Sequence, residues 1–260
     1  MANKKPEPIH TSEAGLKTQW VSIAGSDAAL PAYVAAPDKP GRLPVVLVIQ
    51  EIFGVHEHIQ DICRRFAHEG FMAIAPELYV RQGWPVEYSD IDSLVASVVS
   101  QVPDEQVMAD LDACLVWAGL HGGDLTQVFA TGYCWGGRIT WLYAAHQPML
   151  RAAVAWYGRL TRGHGPLQVI HPIDVVHKLN APVLGLYGGM DAGIPIKDVL
   201  SMQSALRDGS DNARHSEIRV YETADHGFYA DYRPMYSPKA AKDAWRRCLA
   251  WIRAHGTPAH

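Results

Sequence analysis

Gly132-Tyr133-Cys134-Trp135-Gly136-Gly137 places a cysteine on a sharp turn between a predicted strand and a predicted helix. Residues 127–131 are typical of a short buried strand, and residues 138–145 have the apolar character of a buried helix. The pattern G-x-C-x-G-G is a cysteine form of the G-x-S-x-G turn, in which small residues let the chain turn tightly. The free N–H groups of the helix N-terminus favour a thiolate and can receive an oxyanion. The motif therefore predicts a nucleophilic Cys134, and the alternative is an inert cysteine buried beside a glycine turn.

Strands and helices alternate on both sides of this turn. An antiparallel hairpin is predicted at 21–35, and the run 45–49 is typical of a fully buried strand. The order predicts a mostly parallel eight-stranded sheet with helices on both faces and a ligand site at the carboxyl ends of the strands. Residues 82–102 and 159–170 lack clear periodicity and are expected to shape the mouth of the site. The remaining predicted strands are 71–75, 152–156, 182–187 and 217–221, and the predicted helices are 58–69, 104–120 and 238–254.

Length and composition limit the class of protein. The chain has 260 residues, 48% of them hydrophobic, which is typical of one large core and predicts a single domain over 1–260 with an extended N-terminal arm over 1–14. A formal charge of −4, with both signs dispersed, argues against nucleic acid and anionic membranes as partners. The four cysteines lack C-x-x-C spacing and are expected to be free thiols. With no apolar stretch long enough to span a membrane, we expect a cytoplasmic monomer or small homo-oligomer.

A nucleophilic cysteine needs a base and a group that orients the base. His226 follows the last predicted strand and Asp191 follows the preceding one, so both are expected at the active edge of the sheet. The order nucleophile, acid, histidine matches the order in which such triads occur along α/β folds. Asp225 is an alternative acid, and Asp191 has the alternative role of capping a turn.

Glu51 follows the first buried strand, where a carboxylate is costly unless it is hydrogen-bonded or used in the reaction. It is a candidate for accepting the thiol proton of Cys134, and the alternative is a loop glutamate paired with an arginine. The backbone N–H groups of Ile52 and Trp135 are the candidate oxyanion donors, since Trp135 directly follows the nucleophile.

Over nearly its whole length the chain resembles the dienelactone hydrolase family, also called carboxymethylenebutenolidases. The resemblance implies the α/β-hydrolase fold, a triad of Cys134, His226 and Asp191, a proton-accepting Glu51, and neither a metal nor an organic cofactor. It also implies a small-molecule ester or lactone substrate. The residues that carry it are 50–54 (Gln-Glu-Ile-Phe-Gly), Ile59, Asp61 and Arg65, 75–79 (Ala-Pro-Glu-Leu-Tyr) with Arg81 and Gly83, the motif at 132–137, Asp191, and 226–228 (His-Gly-Phe).

Members that open dienelactone hold its carboxylate with two arginines, one of which corresponds to Arg81 in this chain. The other lies four positions after the catalytic histidine, where this chain has Ala230, and Arg233 is the nearest replacement. Arg81 can bind a carboxylate with two parallel hydrogen bonds, and its alternative is a solvated salt bridge. The predicted substrate-binding residues are Arg81, Trp84, Phe228 and Arg233.

The resulting prediction is a cysteine-dependent hydrolase of carboxylic esters or lactones, whose substrate is anionic if the arginines are used. The alternatives are a general carboxylesterase or thioesterase acting on neutral esters, and a non-catalytic thiol sensor or binder. A metal site at His56-Glu57-His58 with Asp61 is not expected, because the spacing does not place two ligands on one helical face.

Overall fold

The computed structural model describes residues 8–88 and 90–256. Eight strands form one sheet in the order β1-β2-β4-β3-β5-β6-β7-β8. The pairs β1–β2 and β2–β4 are antiparallel, and every other neighbouring pair is parallel. The strands are β1 (Leu16–Ala24), β2 (Ala29–Pro37), β3 (Leu43–Ile49), β4 (Met72–Pro76), β5 (Gly123–Tyr133), β6 (Leu150–Trp156), β7 (Val183–Gly188) and β8 (Glu217–Tyr221).

Helices cover both faces of the sheet, as the sequence predicts. One face carries α1 and α7, which meet where the rings of Phe66 and Trp245 lie 4.7 Å apart. The other carries α3, α4 and α5, and α3 contacts α4 directly. The helices are α1 (Glu57–His68), α2 (Ile91–Ser97), α3 (Asp104–Leu120), α4 (Trp135–His146), α5 (Ile196–Arg207), α6 (Asp211–Arg214) and α7 (Pro238–His255), with 3₁₀ turns at Pro85–Glu87, Val99–Gln101 and Pro172–Lys178.

The central strands are buried on both faces, which explains their continuous apolar sequence. In β3 the residues from Val45 to Ile49 have no exposed surface, and in β6 the same holds from Ala152 to Trp156. The sequence therefore specifies a sheet enclosed between two helical layers, and the predicted α/β-hydrolase fold is confirmed.

Two regions differ from the sequence prediction. The segment 82–102 contains α2, whose N-terminus is capped by the Asp90 carboxylate accepting the Ser93 N–H at 2.8 Å. Leu94 within α2 and Val98 at its C-terminal end are buried, so this segment does contribute to the core. The helix α5 was not predicted, although Val199, Met202 and Leu206 have helical spacing.

Residues 1–7 of the predicted N-terminal arm lie outside the described residues. Before β1, the backbone N–H of Thr11 donates to the Asp61 carboxylate at 2.5 Å, and its carbonyl accepts from Arg64 at 3.0 Å. This part of the predicted arm is therefore attached to α1. None of the helices within the described ranges combines the length and the apolar character needed to cross a membrane.

The carboxyl ends of five neighbouring strands form the edge that carries the site. Within it, Ile49 of β3 pairs with Gly132 of β5, and Tyr133 of β5 pairs with Trp156 of β6. On the far side Gly188 of β7 pairs with Tyr221 of β8. Loops that leave these ends begin side by side, so residues distant in sequence are brought together there.

Candidate active site

Cys134 occupies the turn between β5 and α4, with backbone angles φ 55° and ψ −112°. A positive φ is uncommon for a residue with a side chain and often marks a functional turn. A Cβ atom on Gly136 would lie 2.4 Å from the carbonyl oxygen of Ile49, and one on Gly132 would lie 2.2 Å from the carbonyl oxygen of Gly136. The absence of side chains at these two glycines therefore lets the start of α4 pack against the end of β3.

Cys134, His226 and Asp191 form a hydrogen-bonded chain. The Sγ atom of Cys134 lies 3.2 Å from Nε2 of His226, and Nδ1 of His226 lies 2.7 Å from Oδ2 of Asp191. The other oxygen of Asp191 accepts the N–H groups of Gly193 at 2.8 Å and Ile194 at 3.1 Å. The carboxylate is thus fixed on both sides, and it holds the imidazole with Nε2 towards the sulfur.

The alternative acid, Asp225, does not contact the imidazole ring in this arrangement. Its Oδ1 atom accepts the backbone N–H of His226 at 2.6 Å, and its side chain is exposed. Of the two candidate acids, Asp191 is the one that the structure brings to Nδ1 of His226.

The charge of the sulfur decides the protonation of His226. Burial acts to lower the pKa of the imidazole, but the negative charge of Cys134 and the hydrogen bonds to Asp191 and Cys134 outweigh it and raise the pKa to about 10. The imidazole therefore holds its proton at neutral pH as long as the neighbouring sulfur carries a negative charge.

The three other cysteines have a different environment. Cys63, Cys114 and Cys248 are fully buried, and burial raises the pKa of each thiol. Cys134 alone among the four cysteines of the chain is partly exposed. Cys134 is thus distinguished from the three buried cysteines by access as well as by its partners.

Glu51 is buried close to the site but is not hydrogen-bonded to Cys134. Its Oε2 atom accepts from Nε2 of His56 at 3.3 Å and from the Tyr232 hydroxyl at 2.7 Å, whereas its buried Oε1 atom has no partner. Burial acts to raise its pKa, but the hydrogen bond from His56, the charges of His58 and His56 and the bond from Tyr232 lower it to about 2. The alternative of a glutamate paired with an arginine is not what the structure shows, since the partners are a histidine and a tyrosine, and the carboxylate stays ionised at neutral pH.

The two candidate oxyanion donors lie on separate elements. Ile52 follows the end of β3 and lines the cavity above Cys134, and Trp135 is the first residue of α4. Within the described residues neither backbone N–H donates to a backbone acceptor. The backbone N–H groups of Ile52 and Trp135 are therefore both available near Cys134, one on each side of the contact between Gly136 and Ile49.

A cavity of about 290 Å³ opens above Cys134. One part of its wall is apolar and is formed by Ile91 and Val95 of α2. Another part is cationic or polar and is formed by Arg159, His164 and Arg233. This small cavity, with polar groups placed on one part of an otherwise apolar wall, is typical of a site for a small organic molecule.

The structure places Arg81 away from this cavity, which corrects its predicted role in substrate binding. The guanidinium donates to both oxygens of Asp110 of α3, at 2.8 and 2.9 Å, and to Asp27 in the β1–β2 turn at 2.7 Å. Two carboxylates already neutralise its charge, so Arg81 joins the hairpin to α3. The salt-bridge interpretation is therefore the one that describes Arg81.

Trp84 and Phe228 are also outside the cavity lining, in contrast to the prediction, whereas Arg233 lines it and its role in substrate binding stays a prediction. Trp84 precedes the 3₁₀ turn Pro85–Glu87 and is 41% exposed. Phe228 is fully buried and packs against the rings of Trp156, Tyr157 and Tyr221. Its backbone follows His226 closely, but its side chain belongs to the core.

Sequence reasoning missed two residues that follow β6. Tyr157 has a φ of 38°, lines the cavity, and lies edge-on to His226 with ring centroids 5.3 Å apart. Arg159 lines the cavity two residues further along. Their position just after the carboxyl end of a predicted central strand was a usable signal, whereas His164 lies in a loop without one.

Comparisons with known proteins show the family to which the chain belongs. The family model described as "Dienelactone hydrolase family" matches residues 30–256. The "Putative carboxymethylenebutenolidase" of Salmonella typhimurium is 53% identical over 252 residues, covering 96% of this chain and 92% of that protein. A protein of the same name from Escherichia coli K12 is 51% identical over 249 residues, covering 95% and 91%.

A crystal structure of a "Putative Dienelactone Hydrolase" from Klebsiella pneumoniae superposes with a TM-score of 0.88 at 55% identity. The match covers 91% of this chain and 98% of that one. Fold, sequence and the arrangement of residues at the sheet edge thus agree with the resemblance found in the sequence. The chain belongs to the dienelactone hydrolase family and is a hydrolase of that type.

Proposed function

We propose that the protein hydrolyses small carboxylic esters or lactones through a thioester on Cys134. The observation that carries this proposal is the hydrogen-bonded chain from Cys134 through His226 to Asp191, which lies under a cavity of about 290 Å³. The names of the relatives, which refer to carboxymethylenebutenolidase and dienelactone hydrolase, support the same substrate class.

Acylation begins with attack of the Cys134 thiolate on the carbonyl carbon, which forms a C–S bond and moves the carbonyl electrons onto oxygen. The amides of Ile52 and Trp135 receive this oxyanion. When the tetrahedral intermediate collapses, the C–O bond breaks and the leaving oxygen takes a proton from Nε2 of His226. Esters of phenols and enols suit this step, because a thiolate is otherwise expelled more readily than the leaving oxygen.

Deacylation depends on a change in the charge next to His226. The thioester sulfur carries no charge, so the strongest influence that raises the pKa of His226 disappears once Cys134 is acylated. The neutral imidazole then takes a proton from water, the resulting hydroxide attacks the thioester, and the C–S bond breaks to restore the thiolate. Asp191 keeps the imidazole in the required tautomer in both steps.

For Glu51 we propose a role in a state in which Cys134 turns away from His226. In that state Oε1, the carboxylate oxygen without a partner, accepts the thiol proton, and the transfer requires that substrate entry weaken the hydrogen bonds that lower the pKa of Glu51. The predicted transfer to Glu51 is not needed in the arrangement that the structure shows, because the sulfur there already contacts the imidazole.

Mass spectrometry of the intact protein tests the proposed function. Mixing with 4-nitrophenyl acetate and quenching within the first turnovers is expected to add one acetyl group, located on Cys134 by peptide mapping. If the protein is a thiol sensor instead, peroxide will oxidise Cys134 reversibly while no acetyl group and no 4-nitrophenol beyond one equivalent are formed. Turnover without any acyl-enzyme would contradict the thioester pathway.

Replacing Glu51 with glutamine is expected to affect acylation and deacylation differently. If Glu51 accepts the thiol proton, Glu51→Gln is expected to slow acylation about 10²-fold, the size typical of one acid–base group. Deacylation should change little, because the thioester has no thiol proton to transfer. Stopped-flow measurement of the 4-nitrophenol burst and of the steady rate gives both values.

Tyr232→Phe is the matched control for this change, since it removes one hydrogen bond to Glu51 and keeps the carboxylate. We expect a smaller loss in the acylation rate. Its acidic limit should move to higher pH, because the pKa of Glu51 rises when this bond is lost. An unchanged burst rate in Glu51→Gln would show that the pairing with His226 is sufficient by itself.

A further inference from the structure

Arg159 is a cation in the wall of the cavity for which the proposed mechanism has no use. It lies three residues after the end of β6, at the same sheet edge as Cys134, and it lines the cavity with His226. Cys134 and Asp191 line the same cavity, so Arg159 lies among the groups proposed to react. Arg159 is therefore a candidate for a role in binding the substrate.

Arg159 is partly buried, and its guanidinium has few partners. Its Nη1 atom donates to the carbonyl oxygen of Gly163 at 2.9 Å, and it forms no ion pair with a carboxylate of residues 8–88 or 90–256. Two other arginines, Arg81 and Arg138, are by contrast neutralised by carboxylates. Arg81 is bound by Asp110 and Asp27, and the fully buried Arg138 donates to both oxygens of Asp104 at 2.7 Å.

The surroundings of Arg159 make an unpaired cation costly. Burial lowers its pKa, and the neighbouring charge of Arg162 acts in the same direction. Burial and the charge of Arg159 lower the pKa of His164 to about 3, so this second polar group of the wall is neutral. A buried charge is usually retained only where a partner satisfies it, and an anionic ligand is such a partner.

The other charged groups that line the cavity do not pair with Arg159. Asp191 is occupied by His226 and two backbone N–H groups, and Asp225 is exposed at the rim. Arg233 adds a second cation, which lies over the ring of Phe53 at 5.6 Å from its centroid. The cavity therefore presents positive charge to a ligand that reaches Cys134.

We infer that Arg159 binds a carboxylate carried by the substrate, an inference that rests on the proposed hydrolysis at Cys134. A planar guanidinium with unused N–H groups matches a carboxylate through two parallel hydrogen bonds. Ile91 and Val95 provide the apolar part of the wall, and the volume of about 290 Å³ admits only a small molecule. The substrate is accordingly a small ester or lactone with one apolar part and one carboxylate.

Matched pairs of esters test the inference. In one pair the carboxylate is in the acyl part, as in mono(4-nitrophenyl) succinate compared with 4-nitrophenyl pentanoate. In the other it is in the alcohol part, as in 4-acetoxybenzoate compared with 4-methylphenyl acetate. We expect Arg159→Gln to lower kcat/KM for the anionic member of at least one pair by tenfold or more, the size typical of losing a charged hydrogen-bond partner. Values for the neutral members should stay within about threefold, since the groups that react with the carbonyl are unchanged.

Arg162→Gln is the control variant, because it removes the same charge three residues away. Arg162 is exposed, donates to the carbonyl oxygen of Gly193 at 2.9 Å, and does not line the cavity. The ratio of anionic to neutral kcat/KM should remain at the wild-type value in this variant. Equal ratios in wild type and Arg159→Gln for both pairs, or the same fall in Arg162→Gln, would overturn the inference.

Binding of benzoate to Cys134→Ala, measured by calorimetry, distinguishes this inference from the proposed function. That variant lacks the nucleophile, so the affinity of benzoate for it measures anion binding in the absence of turnover. We expect benzoate to bind at least tenfold more weakly when Arg159→Gln is added. Equal affinities would contradict the role of Arg159, whereas absent turnover of neutral esters by the wild type would contradict only the hydrolysis.

Discussion

Cys134→Ala is expected to reduce the hydrolysis of 4-nitrophenyl acetate at least about 10³-fold, which is the largest effect that we predict. The sulfur is the atom that forms the bond to the carbonyl carbon, and His226 has no other nucleophile within hydrogen-bond distance among the described residues. The loss should appear in kcat more than in KM, because the cavity wall is unchanged. A spectrophotometric rate assay with a protein-concentration series measures it.

Two controls accompany this result. Alanine at position 134 keeps the backbone strain, since cysteine already occupies a φ of 55°, so thermal unfolding should change little. Cys248→Ala removes a fully buried thiol in α7, away from the site, and should lower stability while retaining the rate per folded molecule. Wild-type rates in Cys134→Ala would reject the nucleophile, whereas similar losses in both variants would indicate misfolding.

Gly136→Ala is expected to cause the second largest loss of activity. The added Cβ would lie 2.4 Å from the carbonyl oxygen of Ile49 and 2.5 Å from that of Gln50, and neither backbone atom can move without shifting the end of β3. The shift separates the amides of Ile52 and Trp135, and loss of one oxyanion donor typically costs 10²–10³-fold in kcat. We therefore expect kcat to fall about 10²-fold and the free energy of unfolding to fall by about 3 kcal/mol.

Gly122→Ala is the control for a glycine substitution without contact to the site. A Cβ atom there meets no atom within 4 Å, and the cost comes only from a φ of +93°, about 1 kcal/mol. It lies just before β5, at the opposite end of that strand from Cys134. Denaturant unfolding together with kcat for the two variants separates stability from geometry. Equal kcat values would show that the contact at Gly136 does not set the oxyanion site.

Much of the fold could be predicted because the buried elements have strong periodicity. The bounds of α3 and β8 match the prediction, since both have clear start and stop signals. The helix α2 was missed because it has only seven residues and a short apolar pattern, although the Asp90 carboxylate caps its N-terminus. A short helix of this kind is stabilised mainly by packing, which the local sequence does not show.

The positions of Cys134, His226 and Asp191 could be predicted because each lies within a few residues after the carboxyl end of a parallel strand. The partners of the charged groups could not. Arg81 is paired with carboxylates from a hairpin turn and from α3, and Glu51 is paired with Tyr232 from the far end of the chain. Such pairs depend on the three-dimensional packing of loops, so the sequence motif identified the residues without their contacts.

The difference in access among the four cysteines makes the protein suited to active-site titration. Iodoacetamide should alkylate Cys134 with a stoichiometry of one, because the three other thiols are buried and their pKa values are raised. The label then counts competent molecules directly, and a fluorescent or isotopic tag placed there reports on events inside the cavity without any engineered cysteine.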